Sequence, residues 1–189
     1  MNHDWQKELY ALWGRAVLRF RETKNTAESL FAAEDRALID RIGATPQEVF
    51  DFVEDFCSGG DPDFTTFALL ADIRRHYFLE QQGGRRSGKV LDIDALPAKS
   101  DAVEGIEWLP RIIPKALAKL RGELHPDIMY LCGGDRAFFR RHDIHPAEFL
   151  RIVETHEDDP GAVVRWVVTR SAADASEAAA ACDARKEAP

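Results

Sequence analysis

Cys132-Gly133-Gly134-Asp135 is the stretch of this 189-residue chain whose residue types and spacing come nearest to chemistry. A thiol beside two glycines, just ahead of a helical pattern, can meet the N–H groups of a helix start, which favour a thiolate and bind anions. With Arg111, Lys115 and Tyr130 it makes a candidate pocket of Arg111, Lys115, Tyr130, Cys132 and Asp135 for an anion or a nucleophile. A base is needed as well, and neither His125 nor His142 can be assigned to that role from sequence, so catalytic residues stay unassigned. The plainer alternative is a small buried cysteine in a glycine turn.

Other candidates carry plainer explanations. His142 and His145 have the spacing H-x-x-H, with Asp143 and Cys132 as further ligands, but one such pair without a second motif is a weak metal signal. No metal is expected, and His145 stands where a helix cap belongs. Asp35 and Asp135 can be imagined as paired carboxylates, yet each directly precedes a helical run and is expected to cap it. Gly83-Gly84-Arg85-Arg86-Ser87-Gly88-Lys89-Val90 approaches a phosphate-binding loop. Val90 cannot ligate magnesium, and a helix precedes the stretch where a strand should, so a flexible basic linker is expected and no cofactor. Arg74-Arg75-His76 with Arg85-Arg86-Lys89 forms a modest basic cluster, but 33 acids against 25 lysines and arginines leave a net charge of −8, which argues against nucleic acid.

The elements that must position these residues are helices. Trp5, Leu9, Leu12, Trp13, Ala16, Val17 and Phe20 recur at steps of three and four, an amphipathic stripe that starts after Asp4. Residues 29–56 read as two short helices, the first ended by Gly43. The second opens with Thr45-Pro46-Gln47-Glu48, a capping box with proline at the first helical position. Ser58-Gly59-Gly60-Asp61-Pro62 breaks the chain, and a longer helix runs from Phe64 to Glu80. Residues 81–107 are glycine-rich and mixed in charge, a linker with a short extended piece at Val90–Ile93. Beyond it the spacing predicts helices opened by Pro110 or Pro114, by His145-Pro146 and by Asp159-Pro160. Trp5, Trp13, Trp108 and Trp166 are expected in the core. The alanine-rich tail from Ser171 reads as a marginal helix.

Residues 35–54 align without a gap to residues 135–154, and 8 of the 20 positions are identical. Chance gives about one or two at ordinary residue frequencies. The expected organisation is therefore all-α: two pseudo-symmetric four-helix repeats packed together, residues 1–80 and 108–170, joined by the linker 81–107 and followed by the tail 171–189.

Composition bounds the rest. An apolar share of 45% and a charged share of 31% are those of a globular protein. Three well-separated cysteines suggest reduced thiols, the polar first ten residues are unlike a signal peptide, and no run of about 18 apolar residues suits a membrane. A cytoplasmic location is expected.

Gly105, Leu109-Pro110-Arg111, Lys115, Gly122, Tyr130, Cys132, Asp135, Phe138-Phe139 and Trp166 together resemble a bacterial domain-of-unknown-function family over about residues 105–170. The resemblance implies a helical fold and no particular activity. Any site on Cys132 or Lys115 would then lie in one half only, since Ala32 stands at the cysteine position of the first half. The functional expectation is a binding, regulatory or interaction module with a groove between the repeats, its partner a protein or a small anionic ligand, with a homodimer possible. The alternative is a small-molecule enzyme or anion binder using Arg111, Lys115, Cys132 and Asp135.

Overall fold

The computed structural model describes residues 4–23 and 25–171. The alanine-rich tail, with Cys182, lies outside them apart from Ser171. Among the described residues the chain is mostly helical, with nine helices and one two-stranded ribbon. It divides into two compact units: one holds the residues up to Ile93 together with Ala118–Tyr130, the other Asp94–Leu117 and the residues from Leu131 onward.

The first unit is built on α1 (Asp4–Glu22), α2 (Ala27–Leu30), α3 (Ala33–Arg41), α4 (Pro46–Gly59) and α5 (Phe64–Glu80). The stripe on α1 buries Trp5, Leu9, Leu12, Trp13, Ala16 and Val17, mainly against α4. Inside, Trp13 stacks on Phe67 with centroids 5.0 Å apart, and Phe52 and Phe56 close around the pair. The capping box of α4 is complete: Thr45 Oγ1 accepts from Glu48 N at 3.1 Å, and Glu48 Oε2 accepts from Thr45 N at 2.9 Å. Helix α5 has the expected bounds and is capped by Asp63, whose Oδ1 accepts from Thr66 N at 2.8 Å. The stretch 29–56 departs from expectation by one element. The extra turn α2 forms because the Thr26 N–H donates to Ser29 Oγ at 2.9 Å, a local closure that apolar periodicity does not register.

The second unit opens with β1 (Ala102–Val103) paired antiparallel to β2 (Ile106–Glu107), followed by α6 (Leu109–Arg121, of which the residues from Ala118 onward belong to the first unit), α7 (Gly133–Arg141), α8 (Pro146–Thr155) and α9 (160–171). The ribbon turns on Glu104 and Gly105, both at positive φ (52° and 75°), as a tight two-residue hairpin requires. The expected extended piece at Val90–Ile93 forms no strand. Its Leu91 N–H donates a single bond to Glu123 O at 2.7 Å, and no neighbouring chain continues the ladder. Pro110 lies in the first turn of α6 and Pro114 inside it. His145 does cap α8, with Nδ1 accepting from Ala147 N at 3.2 Å. Trp108 and Trp166 are half-buried, unlike Trp5 and Trp13, and Trp108 sits at φ 71° ahead of α6, not on a helical face. No helix among the described residues is long and apolar enough to cross a membrane.

Candidate functional site

Three of the five candidate pocket residues meet in the second unit. Lys115 projects from the apolar face of α6 and is only 3% exposed, while Asp135 at the start of α7 is 0% exposed. Lys115 Nζ donates to Asp135 Oδ2 at 2.5 Å and stands 3.4 Å from the Sγ of half-buried Cys132. Asp135 Oδ1 accepts from Trp108 Nε1 at 2.9 Å, and Oδ2 also accepts from Leu131 N at 2.8 Å. A buried carboxylate is tolerated only when it is paired and hydrogen-bonded, and here three donors serve it. Gly134 is needed for this packing, because a Cβ there would lie 2.3 Å from the Trp108 ring. The glycine therefore makes room for an indole, where the sequence suggested room for an anion.

The other two candidates go elsewhere. Arg111 Nη1 donates to Pro97 O at 2.6 Å, which anchors the loop ahead of β1. Tyr130 is buried in the first unit, in the neighbourhood of Phe52 and Lys119. His125 also belongs to the first unit. His142 Nδ1 lies 2.8 Å from Ser171 Oγ, and its ring packs on Phe138.

The first unit contains buried charges that residue spacing did not reveal. Lys119, one turn beyond Lys115 on α6, donates from Nζ to Glu48 Oε1 at 2.9 Å. Burial pushes the Glu48 carboxyl up, but the charge and hydrogen bond of Lys119, the Thr45 N–H and Arg74 outweigh it and hold it below the usual carboxylate range. Arg74 is 0% exposed; its Nε donates to Gly43 O at 3.0 Å, and its Nη1 donates to Leu120 O and Gln82 Oε1, both at 2.8 Å. Burial pushes its pKa down to about 10 despite the pull of Glu48.

The expected basic cluster is dissolved by these contacts. Arg74 is a core residue, Arg75 lies over the Trp5 ring at 4.8 Å, and Arg86 donates to Asp40 at 2.8 Å and to Ala44 O at 2.6 Å. One signal for Arg74 was available. It falls between Leu70 and Phe78 in the apolar stripe of α5, where a charge is out of place.

Near the Glu48 pair, a cleft of about 270 Å³ opens in the first unit, lined by Glu28, Arg36, Gln47, Asp51, His125 and Pro126 among others. Asp51 is half-buried there, with Gln47 Nε2 donating to its Oδ1 at 2.7 Å. Burial pushes its carboxyl up to about 6, against the Gln47 hydrogen bond, and the nearby charges of Glu54, Glu48 and Asp55 push the same way. An acid poised near neutrality in a cleft is a group able to exchange a proton or receive a cation.

The second-unit cluster lies in a stretch that is similar to a known family model. Residues 95–186 match the model of a domain of unknown function, DUF5069. No curated protein and no solved structure matches the chain. The DUF5069 match takes in Trp108, Lys115, Cys132 and Asp135, and through α6 and the segment after it also Lys119, His125 and Tyr130. It leaves out α1 to α5, and with them Glu48, Asp51 and Arg74.

Inside the DUF5069 match Asp135 is not the N-cap of α7. Cys132 holds that place, and Asp135 is the third helical residue, reaching back to the Leu131 N–H. Asp35 is displaced in the same way: α3 begins at Ala33, and Asp35 reaches back to Ala32 N at 3.2 Å. It also binds Arg15 and, at 3.1 Å, Arg19. Both carboxylates are buried and occupied by cations of their own unit, so each is a packing anchor. Among the described residues no three His, Cys, Asp or Glu side chains gather as metal ligands.

Proposed function

We propose that the chain is a cytoplasmic ligand-binding protein, and that its ligand is a small molecule bearing a protonated amine or guanidinium, held in the Asp51 cleft. The observation that carries this reading is the Asp51 carboxyl, held near pH 6 by burial and by surrounding carboxylates, in a cleft of about 270 Å³. An incoming cation relieves the like-charge repulsion and supplies the partner that burial withholds from the ionised form. The volume suits a ligand at the small end of the usual range. Glu28 adds a second acid to the rim, and Arg36 and His125 offer donors to an acceptor elsewhere on the ligand.

Binding is favoured over catalysis because the Lys115–Asp135–Cys132 cluster is closed on itself. Asp135 already receives three donors, which leaves it little capacity to act as a base. Titration of isotope-labelled protein with arginine and putrescine tests the proposal. Resonances of α4 and of residues 124–128 are expected to shift with at least one probe, and Asp51→Asn is expected to weaken that response tenfold or more. Equal responses in the two proteins, or none at the cleft, would defeat it.

A second reading has one observation in its favour: the 3.4 Å approach of Lys115 Nζ to a half-exposed thiol. An anion binder or thiol enzyme there predicts fast alkylation of Cys132 near pH 7 relative to Cys57, slowed by Lys115→Met.

A duplicated origin for the two halves is also part of the proposal. It is supported by equivalent local bonds: Arg36 to Phe31 O at 3.2 Å and Arg136 to Leu131 O at 3.0 Å, Ala44 N to Ile39 O at 3.1 Å and Ile144 N to Phe139 O at 3.0 Å.

A further inference from the structure

We propose that Lys115 and Cys132 form a reversible covalent cross-link, an N–O–S bridge between Nζ and Sγ, when the protein meets a peroxide. The two atoms are 3.4 Å apart, so one bridging oxygen spans them after only a small further approach. Lys115 has little freedom to swing away. Its amine is buried and held at 2.5 Å by Asp135, which is itself fixed by Trp108 and Leu131, so the reacting pair is already oriented and loses little entropy on joining. Cys132 is half-buried and Lys115 is 3% exposed, so the cysteine is the residue of the pair more open to a solvent-borne peroxide. One peroxide oxidises the Cys132 thiol to a sulfenic acid and a second oxidises the deprotonated Lys115 amine to a hydroxylamine, whose oxygen then displaces water from the sulfenic sulfur.

The reaction balances with two molecules of hydrogen peroxide. The Cys132 thiol and the Lys115 ammonium lose the S–H bond and two N–H bonds, and S–O and O–N bonds form to a single peroxide-derived oxygen. Sulfur and nitrogen are each oxidised by two electrons, and the two peroxides take up those four electrons. Three waters leave, together with one proton, which is released to solvent. The product replaces the lysine charge with a neutral bridge. Oxidation therefore dissolves the buried ion pair of the second unit, while Trp108 Nε1 and the Leu131 N–H remain on Asp135. Reduction by two molecules of a dithiol, which supply the four electrons, restores thiol and amine and releases the bridging oxygen as water.

Intact-mass analysis of the full-length Cys57→Ser/Cys182→Ser chain, where Cys132 is the remaining thiol, tests this directly. Peroxide is expected to add one oxygen and remove two hydrogens, and dithiothreitol to reverse the change. A tryptic peptide joining the Lys115 and Cys132 segments is expected, with cleavage after Lys115 lost. Lys115→Arg and Cys132→Ser are both expected to abolish the species. Because the peptide map is read on protein with Lys115 intact, misfolding of a variant cannot imitate the result. Whole oxygens gained on Cys132 with Lys115 still cleaved, loss of two hydrogens with no oxygen gained, or no mass change at all would each overturn the bridge.

Discussion

Lys115 and Asp135 are two full charges taken out of water, and what each leaves behind when removed differs. Lys115→Met leaves a carboxylate that still accepts from Trp108 and Leu131. Asp135→Leu leaves an ammonium, an indole N–H and a backbone N–H buried together. Breaking a buried pair costs about 3–5 kcal/mol in the worse case, so Asp135→Leu is expected at or above that range and Lys115→Met at about 2 kcal/mol, where part of the satisfaction survives. Urea unfolding of the two variants orders them; the reverse order would mean that the lysine, not the aspartate, organises the cluster.

Asp51 makes the opposite kind of prediction. Its folded carboxyl lies near pH 6, above the ordinary aspartate value of 3.8, so the native state binds that proton more tightly than the unfolded chain does. The contribution is fully present below about pH 4 and is lost as pH rises through about 6. Asp51→Asn is expected to remove this dependence and to raise stability at pH 7 by about 1–2 kcal/mol, a figure reduced for partial solvent exposure. Melting temperatures of the two proteins at pH 4.5 and 7.5 check both sign and size.

Helix ends were the most legible feature at the scale of elements. Thr45-Pro46-Gln47-Glu48 and His145-Pro146 open α4 and α8 as written, because cap chemistry is local and needs only neighbours within one turn. Asp35 and Asp135 misled for the same reason: an acid near a helix start looks alike at the cap and three residues inside, and only the backbone decides. Thr45→Ala is expected to cost about 1 kcal/mol, read by urea unfolding, since Glu48 keeps its bonds to Thr45 N and Lys119. The two glycines opening α7 separate more sharply. A side chain at Gly134 overlaps the Trp108 ring, and one at Gly133 meets only the far end of Arg136 at 3.9 Å. Gly134→Ala is expected to cost about 1–3 kcal/mol and to shift Trp108 emission, while Gly133→Ala is neutral or stabilising.

For the whole molecule, α6 is the element on which both units draw. It gives Lys115 to Asp135 and, one turn later, Lys119 to Glu48. Unwinding α6 withdraws a buried cation from each carboxylate at once. Thermal melts followed by far-UV circular dichroism and by tryptophan emission are therefore expected to coincide. Two separated transitions would mean that one unit keeps its packing after α6 is lost.

Amino-acid order by itself determined the helical spans, the caps that begin them and the similarity of residues 35–54 to 135–154, because a 3.6-residue period and a capping side chain act within a few positions. The approximate span of α5 and the stripe of α1 follow from that alone. Tertiary structure decided which charges are buried and with whom. Lys119 and Glu48 are separated by 71 positions, and Arg74 and Leu120 by 46. No local preference encodes such pairs. A lysine on an apolar stripe looks the same whether it snorkels to water or ends on a carboxylate, and only packing in three dimensions removes the water that would make the two equivalent.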